Sequence, residues 1–159
     1  RRSEVSGARL WGWARTRFGS PEAFFGRAFV WNWCPLGFLD EGGRNLTPDK
    51  HPRGERTRLE ELCDGALSEM VAALEVRRVI GVGAVAEAAV RRSLAAAGGA
   101  STAIAVTRIP HPSPASPAAH RDWAGQVDAA LAAAGIEAGA AGDLRVSSRQ
   151  SSRRPADSR

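Results

Sequence analysis

Two side chains in this sequence stand where a polar group needs a reason. His111 lies in Ile109-Pro110-His111-Pro112-Ser113-Pro114-Ala115-Ser116-Pro117, an imidazole held between two prolines. Proline fixes its own φ and keeps the residue before it out of helical geometry, so His111 is confined to extended shapes. A loop stiffened in this way suits a group that must sit accurately beside a reacting atom. A plain surface connector uses the same composition. Asn32 interrupts the apolar run Val30-Trp31-Asn32-Trp33. A carboxamide buried there without partners costs about 1–3 kcal/mol. It is therefore either a core amide satisfied by backbone or an amide that donates and accepts at once, reading the edge of a planar ligand.

The elements that must position these residues follow from periodicity. A short helix is expected over 3–17, with Leu10, Trp11, Trp13 and Ala14 offering apolar surface. Ser20-Pro21 reads as an N-cap with proline at the first helical position, opening a short helix through Phe24 and Phe25. Residues 28–36, aromatic, β-branched and ended by Pro35, predict a buried strand, with Asn32 near its end. Residues 55–75 predict a helix with one apolar stripe: Leu59, Leu62, Cys63, Ala66, Leu67, Met70, Val71 and Leu74. A second strand is expected over 76–83, a helix from Ala84 to Ala97, and a third strand over 101–109. A last helix begins near Pro117, with Trp123, Val127, Ala130, Leu131 and Ala134 on one face. Strands alternating with helices predict an α/β fold, a three-layer sandwich with a parallel sheet flanked by helices.

In such sheets, ligands bind beyond the carboxyl ends of the strands. Asn32 and His111 are both expected there, so the two can serve one site although far apart in sequence.

The chain has 159 residues, 43% hydrophobic and 25% charged, which is enough for one globular domain with a core. Its first residue is arginine and its one methionine is Met70, so an N-terminal part of the fold is expected to be missing. Net charge is +5, and of 22 basic residues only Lys50 is lysine. The basic excess suits a polyanion. Arg44, Lys50, Arg53 and Arg56 gather beside the Asn32 segment, as a phosphate clamp or as a solvated basic turn. Thr47-Pro48 resembles an N-cap and first helical position. Cys34 and Cys63 lack C-x-x-C spacing and read as free thiols in a reducing compartment. No apolar run approaches membrane-spanning length. Residues 139–159, rich in Ser and Arg without periodicity, read as a disordered basic tail, leaving 1–138 as the domain.

Five stretches in order, Ser-Glu-Val-Ser-Gly-Ala-Arg-Leu-Trp-Gly-Trp (3–13), Phe-Val-Trp-Asn-Trp-Cys-Pro-Leu-Gly-Phe-Leu (29–39), Gly-Arg-Asn-Leu-Thr-Pro (43–48), Val-Ile-Gly-Val-Gly-Ala-Val-Ala-Glu (79–87) and His-Pro-Ser-Pro-Ala-Ser-Pro (111–117), resemble the single-strand-selective monofunctional uracil-DNA glycosylases of the uracil-DNA glycosylase superfamily. The resemblance implies a parallel sheet between helices and an enzyme that flips uracil out of DNA and hydrolyses its N-glycosidic bond. By resemblance, His111 donates a hydrogen bond to the departing base, and Asn32 reads the uracil edge. Arg44, Asn45, Lys50, Arg53 and Arg56 fall in a DNA-contacting region. Ser113, Ala115 and Ser116 fall in the wedge that enters the base stack. There the family carries a longer polar pair including arginine, so Ala115 and Ser116 favour single strands, from which flipping costs less. The resemblance implies no cofactor and no metal. It implies uracil-containing DNA, single- or double-stranded, as partner, a monomer, no membrane, and a nuclear location in a eukaryote. Oxidised pyrimidines such as 5-hydroxymethyluracil are permitted substrates.

The departure from the family is an absence. Its Gly-Met-Asn-Pro-Gly turn holds the asparagine that positions the attacking water, and no Asn-Pro-Gly occurs in this sequence. A non-catalytic DNA-binding remnant is therefore the alternative expectation. Gly81 and Gly83 supply only two glycines of a dinucleotide fingerprint, with no Gly-Lys-Ser/Thr. The H-x-E and P-C-x-x-C pattern of a zinc deaminase is missing.

Overall fold

A computed structural model describes residues 4–98 and 103–137. In chain order it runs α1 (Val5–Phe18), α2 (Pro21–Phe25), a short 3-10 helix (Pro48–Lys50), α3 (Arg53–Ala73), β1 (Arg78–Val82), α4 (Ala84–Ala97), β2 (Ala105–Ile109), a second 3-10 helix (Pro117–His120) and α5 (Trp123–Ala133). β1 and β2 pair in parallel, from Arg78 opposite Ala105 to Val82 opposite Ile109.

Alternation along these strands sends side chains to two cores. Val79 and Val106 face one built from Leu67 and Val71 of α3 with Val90 and Leu94 of α4. Val82 and Ile109 face the other, built on Ala119 and on Trp123, Val127 and Leu131 of α5, with Leu10 and Trp13 of α1 against it. Helices, sheet and helices thus form the three layers expected of the sequence. Gly81 lets α4 cross β1 closely: a Cβ there would lie 2.6 Å from the backbone nitrogen of Glu87.

The helices sit close to their predicted positions. The Ser20 hydroxyl caps α2, accepting from the Ala23 N–H at 3.2 Å. Thr47 precedes its 3-10 helix as expected but makes no side-chain cap bond. The stripe on α3 is narrower than predicted, because Cys63, Leu67 and Val71 are buried whereas Leu62 and Leu74 are exposed. Pro117 opens a 3-10 helix rather than the last α-helix. That helix starts at Trp123, where the Asp122 carboxylate accepts from the Gly125 N–H at 3.1 Å.

The predicted strand over 28–36 is not formed. These residues have no regular secondary structure, and Phe29 and Trp31 stack on one another while both residues stay exposed. A strand needs a neighbour to accept and donate its backbone hydrogen bonds. Aromatic and β-branched content signals a pleated apolar surface without supplying that neighbour. Among the described residues, β1 and β2 pair only with each other. Asn32 therefore lies in irregular chain rather than at a strand end. Ser3, residues 101 and 102 of the third strand, and the expected tail lie outside the described residues. No helix among the described residues is long and apolar enough to cross a membrane.

Candidate functional site

β2 ends at Ile109, and the chain turns directly into the proline-rich loop. Three groups from separate elements hold that turn. The Gly83 N–H, at the end of β1, donates to the Ile109 carbonyl at 2.9 Å. The Trp123 indole of α5 donates to the Pro110 carbonyl at 2.9 Å. Arg9 of α1 donates through Nη1 to the Pro112 carbonyl at 2.7 Å. Pro112 is buried and His111 is exposed. The imidazole is thus presented outward at the carboxyl end of the sheet by a loop that cannot easily shift.

Its protonation pattern follows from one more bond. The Ser113 N–H donates to His111 Nδ1 at 3.1 Å. A ring nitrogen accepting a hydrogen bond carries no proton, so in the neutral imidazole the proton sits on Nε2. Nε2–H is then a donor available to a ligand. Beyond it, Ser113 builds a tight turn: its hydroxyl accepts from the Ala115 N–H at 3.2 Å and its carbonyl from the Ser116 N–H at 2.9 Å. Ala115 is exposed and Ser116 half-buried at the tip.

Asn32 is exposed, which removes the reading of it as a buried core amide. Its segment is anchored by the next residue. The Trp33 indole donates to Asp64 of α3 at 2.7 Å, and Asp64 accepts from Arg92 of α4 at 2.9 and 3.2 Å. The Arg92 guanidinium also lies 5.8 Å from the centroid of the Trp33 ring. One carboxylate thus ties the Asn32 segment to two helices in place of a sheet ladder. Cys34 and Cys63 are free thiols. Burial, helped by the neighbouring Cys34 thiol, pushes the Cys63 thiol up to about 11. Among the described residues, no hydrogen bond, ion pair or ring contact joins Asn32 to His111.

The basic segment folds as a small hairpin, with a bridge between Leu39 and Asn45 and the Leu46 N–H on the Phe38 carbonyl at 2.8 Å. Asp40 accepts from the Arg44 backbone at 2.9 Å and from its guanidinium at 2.8 Å. The backbone bond foremost holds the Asp40 carboxyl below its ordinary value. Arg56 pairs with Glu60 at 4.0 Å. Two of the four expected clamp cations are therefore partly neutralised within their own segment. Lys50 and Arg53 are exposed and make no ion pair among the described residues. His51, passed over in the sequence, packs edge-on against Phe38 at 4.7 Å, and its Nε2 is buried without a hydrogen-bond partner.

Sequence reasoning missed four positioning groups. Arg9 lies within the 3–13 stretch already singled out, but spacing gave no sign that it reaches residue 112. Trp123 was read only as core. Asp64 and Arg92 sit on helix faces whose charges look like ordinary solvated ones.

No protein-family model matches the chain. Over 121 residues, 76% of the chain, it is 50% identical to the single-strand selective monofunctional uracil-DNA glycosylase of Rattus norvegicus. It is 49% identical to that of Mus musculus and 48% identical to that of Bos taurus over the same length. These 121 residues are 42% of the rat and mouse proteins and 43% of the bovine one, so the chain spans about two fifths of the length of the curated relatives it matches. Across three quarters of its own residues, then, this chain is similar to the single-strand selective monofunctional uracil-DNA glycosylases of these three mammals.

Proposed function

We propose that the chain is the carboxyl-terminal part of a uracil-DNA glycosylase acting in base-excision repair, with His111 and Asn32 as its contribution to the active site. The uracil is flipped from the stack, the bond between its ring nitrogen and the sugar breaks, and water adds to the sugar carbon, its released proton finally neutralising the departed base. The base leaves as an anion with its charge spread over the carbonyl oxygens. Nε2–H of His111 donates to that developing charge, a role for which a pre-oriented donor is suited. The Asn32 amide accepts from the uracil ring N–H and donates to a carbonyl, a pattern that cytosine leaves unpaired.

Lys50 and Arg53, with Arg44, Asn45 and Arg56, contact phosphates. The tight turn at Ser113 offers Ala115 and Ser116 as a small wedge. A small plug replaces little of the lost stacking, which favours single-stranded substrate, with uracil preferred and oxidised pyrimidines admitted. The observation that carries this reading is the Ser113–His111 bond, which leaves Nε2 of the exposed His111 as a donor on a loop fixed from three sides.

The lack of an Asn-Pro-Gly turn in the sequence favours a second reading, a DNA-binding chain without chemistry. Incubation of the 159-residue chain with a uracil-containing single-stranded oligonucleotide separates the two. Abasic product that disappears with His111→Ala supports the glycosylase. Salt-sensitive binding without product supports the second reading.

A further inference from the structure

The Pro112–Ser113 peptide is gripped at both ends. Its carbonyl accepts from the Arg9 guanidinium at 2.7 Å, and its N–H donates to His111 Nδ1 at 3.1 Å. The described chain contains no cis peptide bond, so this carbonyl and N–H point to opposite sides of one plane. Holding the oxygen towards α1 therefore aims the N–H at the imidazole. A cation on the oxygen also polarises the peptide and makes its N–H a better donor. Arg9 and the Pro112 carbonyl that it holds are 103 positions apart in sequence, so the link is tertiary and not a property of the loop alone.

From this geometry we infer that Arg9 is a positioning residue for His111, setting the Nε2–H tautomer through the Pro112–Ser113 peptide. Arg9 bonds to the loop backbone and makes no hydrogen bond to the imidazole itself. Its effect is to keep a hydrogen-bond donor facing Nδ1, which leaves the proton on the outward nitrogen where a departing base is reached. Trp123 does the complementary work on the other flank by fixing the Pro110 carbonyl. The tautomer assignment stands on the geometry, and its catalytic consequence rests on the glycosylase reading above.

The test is nitrogen NMR of the ¹⁵N-labelled full chain, with the His111 ring assigned by comparison with His111→Gln. The expected result is a single neutral form with an unprotonated Nδ1 and a protonated Nε2. In Arg9→Met the Nδ1–H form should become populated, and in Arg9→Lys, which keeps a cationic donor, the single form should persist. Should Arg9→Met fail to fold, Arg9→Gln, with a neutral donor, should show a smaller rise in the Nδ1–H form. An unchanged tautomer in the folded Met or Gln variant overturns the inference. On a uracil oligonucleotide, Arg9→Met should lower kcat roughly tenfold, the rate equivalent of one lost charge-assisted hydrogen bond, with KM nearly unchanged. A raised KM with normal kcat would assign Arg9 to DNA binding instead and overturn the positioning role. If the wild-type chain yields no product, the glycosylase reading fails while the tautomer comparison still decides this one.

Discussion

Gly83 and His111 meet where a side chain on Gly83 would be: a Cβ there would stand 3.0 Å from the histidine Cβ and 3.3 Å from the ring. Gly83 also has φ +89°, in a region that side chains rarely adopt. The turn that ends β1 and starts α4 is thereby matched to the loop that ends β2. Gly83→Ala should cost about 1–3 kcal/mol in urea unfolding from backbone strain. It should also displace the imidazole, reducing uracil excision more than the stability loss alone explains. Unaltered stability would mean that the turn has room the geometry denies it.

Asn32→Asp should weaken uracil recognition, because a carboxylate repels the carbonyl to which the amide donates. The expected result is a lower kcat/KM on uracil oligonucleotides with the fold retained, since Asn32 is exposed. Unchanged excision would remove Asn32 from the site.

The charge pairing in the basic segment makes a graded prediction for salt. DNA affinity should fall steeply with ionic strength if phosphate contacts dominate. Lys50→Gln should lower the slope of log affinity against log salt by about 1. Arg44→Gln should lower it less, because Asp40 already holds that guanidinium at 2.8 Å. Equal effects would show that the Asp40 pair opens on binding. An affinity indifferent to salt would contradict the clamp.

Cys63 gives a pH dependence with a definite sign. Its thiol is raised from an ordinary 9.0 to about 11 by burial and the neighbouring Cys34. The folded chain thus holds this proton more tightly than the unfolded chain. The associated stability is whole below 9 and is lost as pH rises through about 11. Urea midpoints should fall over that interval more in the wild type than in Cys63→Ala, and parallel falls would count against the burial of this thiol.

The sequence made the helices and the two paired strands legible, because each carries its own period and its own punctuation. Ser20-Pro21 announced α2 through a cap that the structure contains. The segment around Asn32 was misread for a definable reason. Apolar and aromatic content reports a surface that can be covered, whereas strand pairing depends on a partner that composition does not reveal. His111 was legible as a constrained imidazole because two prolines write that constraint locally. Its tautomer was not, since it depends on Arg9, a residue at the far end of the chain. Likewise, nothing near Trp33 in sequence indicates that Asp64 and Arg92 will hold it.

The most direct measurement is single-turnover release of uracil from a single-stranded oligonucleotide by the wild-type chain and by His111→Ala, at matched enzyme saturation. If Nε2–H of His111 stabilises the departing base, the variant should be slower by on the order of 10²–10³ while binding the oligonucleotide as well as before. Equal rates in the two proteins, or no abasic product from the wild type, would contradict it.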